Sequence, residues 1–180
     1  MRRGFIQGGV SALLLLLALA APAAAAEPMV LSGQVAGVHD GDTPTVWLRS
    51  GPRKGDLVRV RLSCADTPEL AVKGRWGDQP LGKEARELAA SLIGGKRVHL
   101  VVRGRSFDRL VAQVILADGQ DLGLQLIQAG LAWADPRYCQ VRRNASHLEA
   151  LDEASKAGLG IWSEPAPVAP WTWRKSGNQR

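Results

Sequence analysis

Two short acidic segments contain the residue types best suited to binding a metal ion. Asp40-Gly41-Asp42-Thr43 and Asp66-Thr67-Pro68-Glu69 each follow residues typical of a β-strand. Their carboxylate oxygens are hard ligands, which favour Ca²⁺ or Mg²⁺. If the fold brings the two segments together, one cation could bind between them. Taken alone, however, an Asp-Gly-Asp sequence is usually only a turn in which Asp makes local hydrogen bonds.

Two more familiar kinds of metal site do not fit the spacing. An EF-hand loop beginning at Asp40 would need an oxygen ligand where Pro44 stands and a Glu where Gly51 stands. A zinc site is disfavoured because Cys64 and Cys139 are far apart and no histidine lies at ligand spacing from either. The acidic segments therefore remain the best metal candidates.

Two arginines could bind a phosphate near these carboxylates. Arg61 lies five residues before Asp66 in an alternating strand pattern, and Arg109 ends the sequence Phe107-Asp108-Arg109. A guanidinium can donate two hydrogen bonds to a phosphodiester and can stabilise the extra negative charge of its transition state. The arginines therefore strengthen the case for phosphodiester chemistry. The alternative is that both are ordinary solvated residues on strands.

The elements that must position these residues follow from the apolar pattern. Five segments predict strands, at 29–38, 45–48, 57–62, 97–103 and 110–116. Three predict helices, at 83–93, at 122–130 after an Asp121 cap, and from Ser146 to the Gly158/Gly160 pair, where Ser146-x-x-Glu149 matches a capping box. Five strands with a helix between the third and fourth follow the order of an OB barrel. We therefore predict an α+β fold, a five-stranded OB barrel with three helices.

Composition excludes a disordered chain and favours an anionic partner. The 180 residues are 46% hydrophobic and 22% charged, with 23 Lys and Arg against 17 Asp and Glu and a net charge of +6. These proportions are typical of a globular domain. A basic protein attracts polyanions such as nucleic acid, phosphosugars or an anionic membrane surface, and charge alone does not choose among them.

The first 26 residues match a secretory signal peptide. Arg2 and Arg3 precede an apolar run of about 12 residues, shorter than the roughly 20 that a transmembrane helix needs. The run is followed by an Ala24-Ala25-Ala26 cleavage site. We therefore predict export to the periplasm or the medium, with no stable membrane association after cleavage. The general secretory and twin-arginine routes both remain open.

The rest of the chain divides into a domain and a tail. We predict one domain over 27–163 and a Pro- and Trp-rich basic tail over 164–180. The tail contains Trp171 and Trp173, so it is either an extended strap packed on the domain or a loose basic end. A monomer is the default expectation.

The sequence resembles the staphylococcal nuclease, or thermonuclease, family over nearly the whole chain after residue 26. Six pieces occur in the family's order, and the spacing between Arg61 and Asp66 is kept. The pieces are Asp40-Gly41-Asp42-Thr43; Val60-Arg61-Leu62 with Asp66-Thr67-Pro68-Glu69; Gln79-Pro80-x-Gly82-Lys83-Glu84-Ala85; Arg109-Leu110-Val111-Ala112; Leu126-Ile127-x-x-Gly130-Leu131-Ala132; and Gly160-Ile161-Trp162. One such piece would mean little, but six in order make chance similarity a poor explanation.

The resemblance implies a calcium-dependent endo- and exonuclease on an OB barrel. Such an enzyme acts on DNA and RNA with little sequence preference and leaves 3′-phosphate ends. By match, Asp42, Asp66 and the backbone carbonyl of Thr67 would bind Ca²⁺ directly. Asp40 would hold water bound to the cation.

The resemblance also implies the catalytic roles. Glu69 would orient or deprotonate the attacking water. Arg61 would bind the phosphate in the ground and transition states, and Arg109 would stabilise the transition state or the leaving oxygen. These roles agree with the chemistry expected from the residue types alone.

The substrate pocket departs from the family's usual pattern. Phe107-Asp108-Arg109 replaces the common Tyr-Gly-Arg, so binding of a terminal phosphate should be weaker, and Asp108 either faces solvent or competes for Arg109. Phe107 and Tyr138 match positions beside the nucleotide, where they would offer stacking surfaces or simply cover the barrel rim. Lys73 and Arg75 lie in a polar loop, where they would either touch the substrate strand or be solvated.

The two cysteines are not part of the family's general pattern. Cys64 lies two residues before Asp66, and Cys139 directly follows Tyr138. In the family fold both positions are close to the active-site rim. We therefore predict a Cys64–Cys139 disulfide.

Two functions from different classes fit this sequence. One is a nuclease, and the other is a non-catalytic OB module that binds single-stranded nucleic acid or a protein partner. A binding module needs basic and aromatic residues but no converging carboxylates. The presence of both the acidic segments and the two arginines favours the enzyme.

Overall fold

Five strands close into a barrel in the computed structural model, which describes residues 28–135, 139 and 144–177. Over those residues the strands are β1 (Val30–Val38), β2 (Pro44–Leu48), β3 (Leu57–Leu62), β4 (Ala65–Asp66), β5 (Arg97–Ser106), β6 (Arg109–Ile115) and β7 (Trp133–Ala134). The order around the barrel is β1-β2-β3-β6-β5, and β4 pairs with β7 as a separate two-stranded sheet. The predicted five-stranded barrel is confirmed.

The barrel forms because its strands alternate apolar and polar residues. On β3, Val58, Val60 and Leu62 are buried, whereas Arg59 is exposed and Arg61 is half-buried. Alternate residues of a strand face opposite sides, so the apolar set fills the barrel interior and the arginines lie outside it. β3 pairs with β6 in parallel and with β2 in antiparallel register.

Four α-helices are present in the described residues, one more than predicted. They are α1 (Gly82–Ile93), α2 (Leu122–Gln128), α3 (Ala145–Lys156) and α4 (Pro170–Gly177), with a 3₁₀ turn at Gly160–Ser163. Asp121 caps α2 as expected, because its carboxylate accepts from the amides of Gly123 and Leu124. The capping box predicted for α3 does not form, since Asn144 is the N-cap and Ser146 lies inside the first turn.

The described part of the predicted tail packs on the domain, but largely as a helix rather than as an extended strap. Residues 170–177 form α4, which begins at the buried Pro170. Proline is well suited to the first turn of a helix because its fixed φ angle is helical and its missing N–H is not needed there. The rest of the predicted organisation stays a prediction, because the signal peptide lies outside the described residues. None of the described helices is long and apolar enough to cross a membrane.

Candidate active site

The two acidic segments meet at the end of β3, where one arginine contacts both. Asp42 and Asp66 are 2% and 3% exposed and lie 24 positions apart in the sequence. The guanidinium of Arg61 forms an ion pair with Asp42 through Nη1 and with Asp66 through Nη2, the latter at 2.5 Å. The convergence expected from the sequence is therefore present, with Arg61 between the two carboxylates.

Backbone hydrogen bonds fix the Asp42 carboxylate in this position. Its Oδ2 accepts from the amide of Thr67 at 2.9 Å, and its Oδ1 accepts from the hydroxyl of Thr43 at 2.9 Å. Its own carbonyl accepts from the amide of Leu62 at 2.9 Å, which ties the first segment to the end of β3. Asp42 thus links the two acidic segments directly, through the Thr67 amide.

Two glycines let helix α1 approach the acidic segments closely. A Cβ on Gly41 would lie 2.7 Å from Cγ2 of Thr67 and 3.1 Å from the Ala85 backbone. A Cβ on Gly82, the first residue of α1, would lie 2.8 Å from the carbonyl oxygen of Glu69. Contacts this short would force the backbone to shift. The close packing of α1 therefore depends on both glycines.

Glu69 is held beside Asp66 by a buried glutamine. The amide of Glu69 donates to Oε1 of Gln79 at 3.1 Å, and its carbonyl accepts from the Gln79 amide at 2.8 Å. The Glu69 side chain is 14% exposed, so it can still be reached by water. Burial raises its pKa above the ordinary value, against the pull of Arg174. A raised pKa makes the carboxylate a better proton acceptor near neutral pH.

The pKa values of Asp42 and Asp66 shift in opposite directions because different charges surround them. Burial raises the pKa of Asp42 well above its ordinary value, against the attraction of Arg61. Burial acts on Asp66 in the same direction, but Arg61 and Arg174 outweigh it and hold the pKa of that carboxyl below its usual range. Asp66 is therefore the carboxylate on which cationic groups concentrate in this site.

The donors around Asp42 and Asp66 suit a hard cation. Asp40 adds a buried oxygen, Oδ1, that has no hydrogen-bond partner in the described structure. Such an oxygen can accept from a water molecule or approach a cation. Within the described ranges, no three His, Cys, Asp or Glu side chains group closely enough to form a metal site by themselves. A cation here would therefore depend on two carboxylates, the Thr67 carbonyl and water.

Arg109 lies on the strand next to Arg61. β3 and β6 pair in parallel with Arg61 opposite Val111, so Arg109 is two residues away on the same outer face. Within the described residues, no hydrogen bond or ion pair joins Arg109 to the carboxylates. The fold thus brings the two predicted arginines to one side of the barrel without direct contact.

In the hairpin between β5 and β6, Asp108 faces solvent rather than competing for Arg109. Asp108 approaches Nη1 of Arg59 at 3.6 Å and is exposed, so it does not pair with Arg109. Phe107 is 96% exposed and has a left-handed backbone, with φ of 55°. The hairpin therefore presents an aromatic face to solvent beside the arginines, as a stacking surface requires.

The remaining predicted residues lie around the rim. Lys73 and Arg75 are exposed in a tight loop closed by the pairing of Val72 with Trp76, and no contact joins them to the carboxylates in the described structure. Cys64 and Cys139 form a disulfide with a Cα–Cα distance of 4.3 Å. Tyr138 lies outside the described residues, so its place at the nucleotide stays a prediction.

One residue of this site was missed by the sequence reasoning. Arg174 of α4 contacts Asp66 and Glu69, although it follows them by more than 100 residues. The tail showed only a basic and aromatic composition, and no local spacing relates Arg174 to either carboxylate. Gln79 appeared in the family pattern, but no property of its residue type indicated that it would hold Glu69.

Comparison with known proteins identifies the family. The sequence profile described as staphylococcal nuclease homologue matches residues 59–164. An uncharacterized endonuclease of Escherichia coli O157:H7 is 32% identical over 145 residues, covering 80% of this chain and 85% of the relative. A micrococcal nuclease of Shigella flexneri is 30% identical over 153 residues, covering 80% of each chain. An uncharacterized endonuclease of Haemophilus influenzae is 28% identical over 142 residues, covering 79% of this chain and 72% of the relative. The chain belongs to the staphylococcal nuclease family of hydrolases.

Proposed function

We propose that this protein is an exported calcium-dependent nuclease that hydrolyses phosphodiester bonds of DNA and RNA with low sequence specificity. The observation that carries the proposal is the convergence of Asp42, Arg61, Asp66 and Glu69 at one end of the barrel. A nucleic-acid-binding module needs basic and aromatic residues but no converging carboxylates. The arrangement therefore supports catalysis over simple binding.

Calcium is the proposed cofactor because every donor at this site is an oxygen. Asp42, Asp66 and the carbonyl of Thr67 would hold the cation, and Asp40 would hold water next to it. When bound, the ion would supply positive charge that polarises the phosphoryl oxygen. The family uses metal ions, which agrees with this assignment.

The protein's own residues would carry the reaction as follows. Glu69 accepts a proton from a water molecule as the water oxygen bonds to phosphorus. The bond between phosphorus and the 5′ oxygen breaks, and the leaving oxygen takes up a proton from solvent water, which leaves a 3′-phosphate and a 5′-hydroxyl. Arg61 and Arg109 donate to the phosphate oxygens, on which negative charge increases in the transition state.

Export is supported by two features. The first 26 residues match a signal peptide, and Cys64 and Cys139 are joined in a disulfide. Disulfides persist in oxidising compartments and are rare in the bacterial cytosol. We therefore propose that the enzyme acts in the periplasm or outside the cell, where its substrate would be free nucleic acid.

The proposal is tested by hydrolysis of single-stranded DNA and RNA by the purified protein with Ca²⁺, with Mg²⁺ and with chelator. We expect cleavage with Ca²⁺ that is lost in chelator and in Arg109→Ala. Binding without cleavage under every metal condition would replace the nuclease with the binding module. Cleavage in chelator would refute the role of the metal.

A further inference from the structure

Helix α4 delivers a second arginine to the carboxylates of the active site. Nη2 of Arg174 lies 2.9 Å from Oδ2 of Asp66, and Nη1 lies 3.1 Å from Oδ1 of the same residue. Nη1 also forms an ion pair with Oε1 of Glu69. Both oxygens of Asp66 and one oxygen of Glu69 are therefore engaged by a single guanidinium.

Specific contacts dock the C-terminal segment, residues 168–177, beside these carboxylates. The indole Nε1 of Trp173 donates to the carbonyl of Gly77 at 3.1 Å, and Nε2 of Gln79 donates to the carbonyl of Val168 at 2.6 Å. The ring of Trp171 packs edge-on against Trp133, with centroids 5.7 Å apart. Gln79 thus contacts both Glu69 and the segment, so the position of the segment is tied to the active site.

Helix α4 lies outside the sheet of the barrel and is short. An isolated helix of the length of α4, which spans 170–177, is not stable in water. No strand of the barrel pairs with it, and an open groove of about 500 Å³ lies between it and the loop 71–77. The helix makes few close contacts with the other helices and strands that the structure describes, so little packing holds it in place.

A bound Arg174 disfavours the proposed chemistry for two reasons. Arg174 engages both oxygens of Asp66 in addition to the contact made by Arg61, which leaves fewer lone pairs for Ca²⁺, and a second guanidinium adds to the repulsion of another positive charge. The ion pair with Arg174 occupies Oε1 of Glu69, one of the two oxygens that could accept a proton from water. Both effects act on residues that the proposed mechanism requires.

We propose that Arg174 is an internal cation that competes with Ca²⁺ for Asp66, and that helix α4 is a lid that must leave before the metal binds. The inference rests on the proposed function for the identity of the metal. Because linkage is reciprocal, Ca²⁺ weakens the docking of α4 by the same factor by which α4 weakens Ca²⁺ binding. The lid therefore restrains the enzyme where Ca²⁺ is scarce.

The direct test measures Ca²⁺ affinity rather than activity. Isothermal titration calorimetry at fixed ionic strength compares the unmodified protein with Arg174→Gln and with a matched control, Lys175→Gln, which removes the neighbouring exposed charge of the same helix. We expect Arg174→Gln to bind Ca²⁺ at least about fivefold more tightly, as a modest coupling between two ligands gives. Lys175→Gln should stay within about twofold of the unmodified protein. Unchanged or weaker binding by Arg174→Gln, or equal gains in both variants, would overturn the competition.

Hydrogen exchange of the unmodified protein tests the lid without any substitution. We expect amides of 168–177 to exchange faster when Ca²⁺ is added, while amides of the barrel strands exchange more slowly or at the same rate. Unchanged or slower exchange of 168–177 would overturn the lid, even if Arg174→Gln failed to fold.

The two proposals fail in different ways. Tighter Ca²⁺ binding by Arg174→Gln with no hydrolysis in any variant would retain the lid and remove the nuclease function. Calcium-dependent hydrolysis with unchanged affinity and unchanged exchange would retain the nuclease and remove the lid.

Discussion

Two arginines contact the same carboxylate, Asp66, from regions of the molecule that are held in different ways. Arg61 belongs to β3, whose hydrogen bonds on both sides fix its position in the barrel. Arg174 belongs to a terminal helix of eight residues that no strand supports. Both cations hold the pKa of Asp66 down. The comparison separates a permanent partner of the site from a removable one.

The side chain of Arg61 is also more buried than that of Arg174. Arg61 is 20% exposed and bridges two buried carboxylates, whereas Arg174 is 30% exposed and reaches from Asp66 outward to Glu69. Breaking a buried ion pair leaves an uncompensated buried charge, which is strongly destabilising. The penalty falls when solvent can reach the remaining charge. We therefore expect Arg61 to matter most for the integrity of the site and Arg174 most for access to it.

Of the two arginines, Arg174 contacts Glu69 and Arg61 does not in the described structure, so a change at Glu69 affects the lid without touching the Arg61 ion pairs. Glu69→Gln removes the proton acceptor and also one anchor of the lid. We expect turnover to fall by about 10²–10⁴-fold, the usual contribution of a general base, while Kd for DNA stays within a few-fold. Single-turnover kinetics and equilibrium binding measure the two effects. Lost affinity with unchanged turnover at saturation would show that Glu69 binds substrate instead.

Removing Arg61 should damage both stability and activity. Arg61→Ala leaves Asp42 and Asp66 buried near each other, and we expect the free energy of unfolding in chelator to fall by about 3–5 kcal/mol. Arg174→Ala, its matched variant, should cost less than half as much because Arg61 still neutralises the pair. Urea denaturation of both variants gives the comparison. Equal losses would contradict the distinction between a fixed and a removable arginine.

The fixed side of this comparison was largely predictable from the sequence. Alternation of apolar and charged residues on β3 placed Arg61 outside the barrel, and its spacing from Asp66 put both at one strand end. The roles of Glu69 and Arg109 came from resemblance to a family rather than from spacing. The face of a strand on which a side chain lies can be predicted from sequence because side chains alternate strictly with a period of two.

The removable side was not predictable, for a physical reason. The contact between Arg174 and Asp66 spans 108 residues, and it depends on the docking of Trp171 and Trp173 on distant surfaces. Short-range sequence patterns cannot predict a contact between residues so far apart in the chain. The capping box predicted at Ser146 was wrong because the helix begins two residues earlier, with Asn144 as its N-cap. For Arg174, tertiary packing rather than local propensity decides the contact.

The disulfide should stabilise the fixed region and leave the lid alone. Cys64→Ala/Cys139→Ala opens a cross-link across 75 residues, which would lower the free energy of unfolding by about 4 kcal/mol in the chain-entropy model. Cys64 has a left-handed backbone with φ of 70°, so Cys64→Gly/Cys139→Ala should recover about 1 kcal/mol by relieving that strain. Denaturant unfolding measures both variants. If the Gly variant were less stable than its Ala counterpart, the left-handed backbone at position 64 would not be a source of strain.

The smallest expected effect belongs to a third arginine–carboxylate contact, between Arg59 and Asp108. Their side chains are 52% and 69% exposed and 3.6 Å apart. An exposed pair of this kind contributes less than about 1 kcal/mol, so Asp108→Asn should leave stability within that range and turnover within about twofold. Arg59→Gln serves as the control for the ion pair itself. A tenfold rise in turnover for Asp108→Asn alone would show that Asp108 restrains the neighbouring Arg109, and the hairpin would then join the lid as a second restraint on the site.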